Sequence, residues 1–237
     1  MSKMIDAREL RAAYDVRFRS DSLRDADSFY AWVFSKLGAE PSARLLDVAC
    51  GSGRLLYHAK QAGLETIGID FSAGALRLAR AIEPGSELVL ADGQYLPLPS
   101  SSIDYVTNLG SLEHFIDPDL GVQEMARVLR PQGLAAILLP NAFYAADLIW
   151  WVWRTGRSPS HHQPLERFAA YADWAALLER NGLKVRASCN YNFMFPRSRL
   201  DGEYYRRFPR KLLNLAMSPF IPFNFSYSFL YLCQRKT

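Results

Sequence analysis

Between residues 43 and 140 the sequence alternates short apolar runs with amphipathic stretches, and this alternation constrains the fold more than any other feature. The runs that are typical of strands are ARLLDVA (43–49), ETIGID (65–70), ELVLAD (87–92), SIDYVTNLG (102–110) and LAAILLP (134–140). The stretches with helical spacing lie at 53–63, 72–82 and 119–130. Repeated strand–helix units form parallel sheets with helices on both faces. The sequence therefore predicts a doubly wound α/β fold.

The flanking regions extend this prediction to the whole chain. Residues 6–37 have helical spacing and predict an N-terminal helical cap within 1–42. Beyond the core predicted for 43–141, the predicted helices are 142–154 and 165–182, and the predicted strands are 183–193 and 225–236. We expect a single domain with a Rossmann-like, seven-stranded and mostly parallel sheet whose last strand is antiparallel. Two segments, 142–164 and 194–224, are expected to form a lid on the substrate side.

Composition favours an ordinary globular protein of a reducing compartment. The chain has 237 residues, 49% of them apolar and 22% charged, which suffices for a large core. Three widely spaced cysteines do not resemble a disulfide framework or a zinc site. The N-terminal residues MSKMIDAREL lack the apolar segment of a secretory signal, and no run matches a membrane span. These features predict a cytoplasmic location.

Positive charge is concentrated at the C-terminal end of the chain. Residues 197–237 contain eight Lys or Arg residues but only two acids, Asp201 and Glu203. The rest of the chain is slightly acidic, so this basicity indicates what the C-terminal part contacts.

Two glycines directly follow the first predicted strand, in LLDVACGSGRLL (45–56). Gly51 and Gly53 lead into a helix, where backbone N–H groups and bare main chain can meet a ligand. The dinucleotide pattern requires a third glycine three residues later, and Leu56 stands there instead. A lone pair of such glycines is compatible with a structural turn as well as with a ligand site.

Acidic residues end the next two predicted strands. Asp70 is placed to accept the hydroxyls of a ribose, and Asp92, followed by Gly93, is placed to accept from an exocyclic amine such as that of adenine. Each acid alone is compatible with a helix cap or a solvated loop. Three consecutive strand ends with this chemistry together predict a site for a nucleoside-containing cofactor.

These motifs resemble a known family. LLDVACGSGRLL, IGIDFS, ADGQYLPLPSSSIDYVTNLGSLEHF and EMARVLRPQGLAAILLPN are similar, in this order, to class I S-adenosylmethionine-dependent methyltransferases. The likeness is greatest to the small-molecule branch that includes the ubiquinone and menaquinone biosynthesis enzymes. It is strong over 43–141 and weak over 165–191. It implies S-adenosyl-L-methionine as cofactor and S-adenosyl-L-homocysteine as product, and it says almost nothing about the acceptor.

The resemblance also implies a set of cofactor contacts, matched by motif position. The residues implied to line the methionine end are Asp47, Ala49, Gly51 and Gly53. The residues implied to hold the ribose and the adenine are Asp70, Phe71, Asp92 and Gly93. The residues implied to lie beside the sulfonium are Asn108 and Leu109. Tyr14 is implied to close over the cofactor, or else to be a core tyrosine. Cys50 is expected to be a small buried filler.

Methyl transfer from a sulfonium is an in-line displacement, so a base is needed only when the acceptor must lose a proton. His114, in SLEHF after the fourth strand, is the candidate catalytic base, and its alternative role is packing. His161 and His162 in a polar loop offer another candidate base. Adjacent histidines point apart, and Asp117-Pro118-Asp119 is typical of a turn, so no metal is predicted.

Aromatic residues in both lid segments indicate a small acceptor that is hydrophobic or lipid-linked. Basic residues interleaved with aromatics and leucines also predict contact with an anionic membrane surface through 204–223. Alternatively, the lid merely packs on its own domain or binds RNA. The chain lacks the Asn/Asp-Pro-Pro-aromatic signature of DNA amino-methyltransferases, so no DNA partner is expected. A non-catalytic S-adenosylmethionine-binding protein or partner subunit remains the alternative function, and a NAD-dependent oxidoreductase is disfavoured by Leu56.

Overall fold

The fold is built on one seven-stranded sheet. The computed structural model describes residues 6–18, 25–157 and 163–236. The strands are β1 (Arg44–Val48), β2 (Glu65–Asp70), β3 (Glu87–Leu90), β4 (Ile103–Leu109), β5 (Leu129–Pro140), β6 (Leu183–Tyr191) and β7 (Ser228–Arg235), in the order β3-β2-β1-β4-β5-β7-β6. Strand β7 is antiparallel to both of its neighbours, and the other pairs are parallel. The predicted sheet with an antiparallel last strand is confirmed.

Helices cover both faces of this sheet. They are α1 (Ala7–Arg17), α2 (Asp27–Leu37), α3 (Arg54–Gln61), α4 (Ala73–Ile82), α5 (Pro118–Val128), α6 (Ala145–Asp147), α7 (Trp153–Thr155), α8 (Tyr171–Arg180), α9 (Arg199–Arg207) and α10 (Pro209–Met217). A π-helical turn, Leu148–Val152, joins α6 to α7. Short 3₁₀ turns lie at Leu112–His114, Ser218–Phe220 and Phe223–Phe225.

Two core clusters follow from this layering. On one face, residues such as Met125 of α5 and Trp174 of α8 pack with Ile137 of β5. On the other face, residues such as Phe29 of α2 and Leu56 of α3 pack with sheet residues that point the opposite way. Each strand directs alternate side chains to opposite faces of the sheet, and both faces are covered by an apolar cluster. The strands are therefore continuous apolar runs in the sequence.

Two helical segments differ from the sequence prediction. The helix predicted over 6–37 is divided, since α1 ends at Arg17 and α2 begins after Ala26, whose backbone is extended. The helix predicted over 165–182 begins only at Tyr171. Before this helix, the Arg167 guanidinium donates to the carbonyls of Phe115 and Ile116. These bonds hold the segment around Arg167 against the loop that follows the 3₁₀ turn at Leu112–His114.

The insertion predicted between the last two strands contains helices. Its residues form α9 and α10, and α9 is capped by the Ser198 hydroxyl, which accepts from the Asp201 amide. Strand β5 also begins earlier than predicted, at Leu129. Leu129 pairs with Ile103 of β4 and Leu134 pairs with Tyr105, so the residues between Leu129 and Leu134 form an irregular part of the strand.

The strand order fixes where a ligand can bind. After β1 the chain moves outward to β2 and β3, and it then returns to the other side of β1 as β4. This reversal opens a crevice at the carboxyl ends of β1 and β4, which is the place where open α/β sheets bind ligands.

Candidate functional site

A cleft lies at this reversal point. The predicted residues that line it are Tyr14, Ala49, Asp70, Phe71, Asp92, Gly93 and His114. Its other lining residues are Leu10, Phe18, Gln94, Ser111, Phe115 and Ile116. The structure thus brings two residues of α1 and the segments that end or follow β1, β2, β3 and β4 to a single cleft.

The turn after β1 supports this cleft from below. Gly53 precedes α3 with a φ of 73°, and a Cβ there would lie 2.9 Å from Cβ of Ala79. The lack of a side chain at Gly53 therefore serves the close approach of α3 to α4. Gly51 donates its amide to Asp70. Among the residues described, Gly51 and Gly53 lie next to the cleft lining but not in it.

Ala49 adopts a left-handed backbone in this turn. Its φ is 58°, a region that costs a residue with a Cβ roughly 1–2 kcal/mol. Its methyl group faces the cleft. Sequence reasoning had no signal for this strain, because an alanine after an apolar strand is unremarkable in a pattern.

Asp70 is fixed by backbone donors at the wall of the cleft. Its Oδ2 accepts from the Gly51 amide at 2.9 Å, and its Oδ1 accepts from the Ser72 amide at 2.8 Å. These bonds orient a carboxylate beside the ring of Phe71. A carboxylate can accept from the hydroxyls of a ribose, and an aromatic side chain can pack against its base, so these residues fit the predicted cofactor.

Asp92 is oriented by a neighbour that the sequence did not flag. Its Oδ1 accepts from both the backbone amide and the Nε2 of Gln94, each at 2.9 Å. The Gln94 Oε1 accepts in turn from the Asp117 amide. Gly93 permits Phe115 to pack against the loop, since a Cβ at Gly93 would lie 2.6 Å from Cζ of Phe115. Gln94 is a polar residue in a loop, which carries no sequence signal of its own.

Asp47 is buried beneath the cleft. Its Oδ1 accepts from the Thr107 hydroxyl at 2.7 Å. Burial raises the pKa of Asp47 to about 7; the negative charge of Asp70 also raises it, and the Thr107 bond opposes the shift. Cys50, next in the turn, is buried as predicted, and burial raises the pKa of its thiol.

Asn108 connects β1 to the turn that carries His114. It is fully buried, its Nδ2 donates to the Val48 carbonyl at 3.0 Å, and its Oδ1 accepts from the Leu112 amide at 2.9 Å. Both ends of the amide are therefore used in positioning the 3₁₀ turn. Leu109, the next predicted residue, lines a second cavity rather than the cleft.

His114 stands between the two cavities. Its Nδ1 lies 2.5 Å from the carbonyl oxygen of Leu165, and its Nε2 lies 3.7 Å from Oε1 of Glu113. A carbonyl only accepts, so Nδ1 carries the proton of the neutral ring and Nε2 is the acceptor. The alternative bases, His161 and His162, lie outside the described residues.

Helix α1 covers the cleft. The Tyr14 ring lies 5.4 Å from the Phe71 ring, and the Tyr14 hydroxyl donates to Oε1 of Gln163 at 2.9 Å. Asp15 accepts from the Ser72 hydroxyl at 2.5 Å and from the Gly74 amide at 3.2 Å, at the start of α4. The Ser72 hydrogen bond lowers the pKa of Asp15. Asp15 is a docking residue that the sequence reasoning missed.

The second cavity is larger than the cleft and adjoins it at His114. Aromatic residues form much of its wall, namely Phe29, Tyr30, Tyr144, Phe168, Tyr191, Phe193, Phe208 and Tyr227. Charged side chains also reach it, including Asp25, Glu113, Asp147 and Lys211. The predicted lid segments do border this cavity, through Tyr144 and Asp147 on one side and Lys211 and Asn214 on the other. Its lining is more polar than the sequence suggested.

Lys211 holds α10 against the cavity wall. Its Nζ donates to the Tyr204 hydroxyl and lies 4.8 Å from the centre of the Tyr204 ring and 5.5 Å from that of Phe193. Burial lowers the pKa of Lys211, and the negative charge of Asp25 opposes this shift. In the described part of the chain, no cluster of three metal-ligating side chains is present.

Comparison with known proteins identifies the core. Residues 46–137 match the family described as a methyltransferase domain. Over these residues the chain is similar to methyltransferase domains that use S-adenosylmethionine, and the hydrogen-bond acceptors that line the cleft agree with that cofactor.

The relatives place this domain near the quinone-methyltransferase branch. A demethylmenaquinone methyltransferase of Renibacterium salmoninarum is 32% identical over 120 residues, 51% of each protein. The chain thus spans about half the length of the curated relatives it matches.

Two solved structures share the fold. The complex between the Haloferax volcanii Trm112 methyltransferase activator and a methyltransferase gives a TM-score of 0.72 at 17% identity, covering 98% of both chains. The [4+2]-cyclase SpnF gives a TM-score of 0.62 at 18% identity, covering 92% of this chain and 84% of the other. A fold that also serves a cyclase does not by itself establish the reaction.

Proposed function

We propose that the protein is an S-adenosylmethionine-dependent methyltransferase that acts on a small, largely hydrophobic acceptor. The observation that carries this proposal is the junction of two cavities at His114. One cavity is lined by carboxylates that can accept hydrogen bonds from a nucleoside cofactor, and the other is larger and walled by aromatic rings. Two ligands bound in these cavities would meet at their common boundary.

Within the cleft we assign roles by position and chemistry. Asp70 holds the ribose and Phe71 lies against the adenine, whose edge meets Asp92 and Gly93. Ala49 and the Gly51–Gly53 turn receive the methionine end above Asp47. Leu109 borders the second cavity, and the buried Asn108 sets the position of the 3₁₀ turn that carries His114.

The protein contributes alignment and exclusion of water. The bound cofactor supplies an electrophilic methyl group. Tyr14 and the rest of α1 cover the cleft, while α10 closes the second cavity through Lys211. A dry site favours the loss of charge that accompanies the transfer, and a fixed geometry supplies the orientation.

We propose His114 as the base for acceptors that must lose a proton. The bond of its Nδ1 to Leu165 leaves Nε2 as the acceptor of that proton. His114→Gln would then lower kcat for an acidic acceptor and remove the acidic limb of its pH profile, with S-adenosylhomocysteine affinity unchanged. An unaltered pH profile in the variant would assign His114 to packing alone.

The proposal is tested by calorimetric titration of S-adenosylmethionine and S-adenosylhomocysteine, with NAD as the control. We expect both sulfur ligands to bind the wild type. Asp70→Ala should lower their affinity by at least about tenfold, because the variant lacks one charged hydrogen-bond acceptor. An acceptor screen with apolar phenols and lipid-linked compounds then tests turnover. Failure to bind either sulfur ligand would reject the proposal; binding without turnover of any acceptor would favour the non-catalytic alternative.

A further inference from the structure

The helix that follows β5 exposes a group of large apolar residues. Trp153 is 82% exposed, Trp150 is 62% exposed, and Ile149 and Trp151 are exposed as well. All four lie in the π-helical turn or in α7. Scattered exposed apolar residues are ordinary, but so many bulky ones within five residues form a patch that requires a partner.

The second lid segment exposes a similar group. Leu213 and Met217 project from α10, and Phe220, which is 78% exposed, follows in the next turn. The other face of α10 carries Lys211 and Asn214 into the second cavity. Helix α10 therefore exposes several apolar side chains, while its inner face carries Lys211 and Asn214 together with the buried Leu215.

Basic side chains accompany both apolar groups. Exposed arginines are found at 154 and 157 on the first segment and at 206, 207 and 210 on the second. The nearby acids are already engaged, because Asp201 is buried and accepts three backbone amides while Glu203 lies 3.5 Å from Arg199. Within the described chain no carboxylate lies at ion-pair distance from the arginines at 206, 207 and 210.

We propose that these two segments dock the protein onto an anionic lipid bilayer. Tryptophan prefers the boundary between acyl chains and headgroups, and arginine binds the phosphates there. Among the described residues, no helix has the length and apolarity to cross a bilayer. The attachment is therefore peripheral, and it involves the tryptophan segment in addition to the basic segment that the sequence indicated.

The two docking segments lie beside the second cavity. Both border the second cavity, one through Tyr144 and Asp147 and the other through Lys211 and Asn214. On the basis of the proposed function, an acceptor dissolved in the bilayer would reach the cavity without crossing water.

The experiment is vesicle binding of the full chain, followed by co-sedimentation and by tryptophan fluorescence. Vesicles of phosphatidylcholine alone are compared with equimolar phosphatidylcholine and phosphatidylglycerol. Three of the five tryptophans of the chain lie in the docking segment, so insertion will shift the emission to shorter wavelength. We expect binding to the anionic vesicles, weakened by salt, and much weaker binding to the neutral ones.

Two sets of variants locate the surface. Trp150→Ala with Trp153→Ala should weaken partitioning by about tenfold or more, from the apolar area withdrawn. Replacing the three arginines at 206, 207 and 210 with glutamine should weaken it roughly 100-fold. The matched controls are Tyr95→Ala, an exposed aromatic elsewhere, and a triple glutamine variant of Lys36, Lys184 and Arg186 at the amino end of the sheet.

Several results would overturn the inference. One is the absence of binding to anionic vesicles, and another is an equal loss in the control triple variant. A dimer seen by light scattering that the tryptophan variant abolishes, without vesicle binding, would assign the surface to a second copy of the chain. Titration of S-adenosylhomocysteine on the same samples keeps the two proposals separate, because cofactor binding does not depend on these residues.

Discussion

The buried carboxyl of Asp47 makes the stability of the protein depend on pH in an unusual direction. Its pKa rises from an ordinary 3.8 to about 7 because burial disfavours the charged form. The folded state therefore holds a proton that the unfolded state releases above about pH 4, so stability falls as pH rises toward 7. Between about pH 4 and pH 7 the free energy of unfolding therefore falls by roughly 4 kcal/mol, at about 1.4 kcal/mol per pH unit.

Asp47→Asn removes this titration and keeps the acceptor for the Thr107 hydroxyl. The measurement is the melting temperature of the ligand-free protein at about pH 5 and about pH 8, for wild type and variant. Between these values the free energy of unfolding of the wild type should fall by roughly 2–3 kcal/mol more than that of the variant, since most of the titration lies there. For a domain of this size that difference corresponds to roughly 5–10 °C.

The comparison of two pH values separates titration from packing. Any fixed cost of the new amide group affects the variant equally at both pH values and cancels. Asp92→Asn controls for the loss of an acid at the same edge of the sheet. Parallel pH profiles for the wild type and Asp47→Asn would refute the reasoning, because they would show that Asp47 is ionised throughout.

Three further changes test the frame around the cleft. Gly53→Ala should destabilise the protein by about 2 kcal/mol or more in urea unfolding, through its left-handed backbone and the clash with Ala79; an unchanged midpoint would contradict the packing. Ala49→Gly should stabilise it by up to about 1 kcal/mol in the same assay by relieving backbone strain, and a loss would count against that strain. Asp15→Asn should speed amide exchange in α1 and weaken the binding of S-adenosylhomocysteine, because α1 loses the contact between the Asp15 carboxylate and Ser72. In the wild type the pKa of Asp15 is lowered, so this contact is lost as pH falls. Equal amide exchange in the wild type and the variant would contradict this role of Asp15.

Much of the fold was predictable because local and global signals agree. Each of the five strands from β1 to β5 is an apolar run that ends at a turn residue, and the strand–helix alternation leaves few topologies open. The division between α1 and α2 was less accessible, because apolar spacing continues on both sides of it. The late start of α8 depends on Arg167, whose partners are carbonyls some fifty residues earlier, and no local pattern reports such a contact.

The candidate site was predictable in part for the same reason. Strand ends carry acids and glycines that stand out in the sequence, so Asp70, Asp92 and Gly93 could be proposed for one cleft. Residues that act through long-range contacts could not. Asp15 reaches Ser72 from a helix 57 positions away, and Gln94 orients Asp92 from within an ordinary loop.

One short segment ties the two cavities together. Gln163 accepts from the Tyr14 hydroxyl of the cleft cover, Leu165 accepts from His114, and Arg167 donates to the backbone after the 3₁₀ turn. The same segment lines the second cavity through Gln163 and Arg167. Because a few consecutive residues contact both the cleft and the second cavity, a displacement of this segment would change the walls of both. Residues 163–167 therefore link the cover of the cleft to the wall of the second cavity.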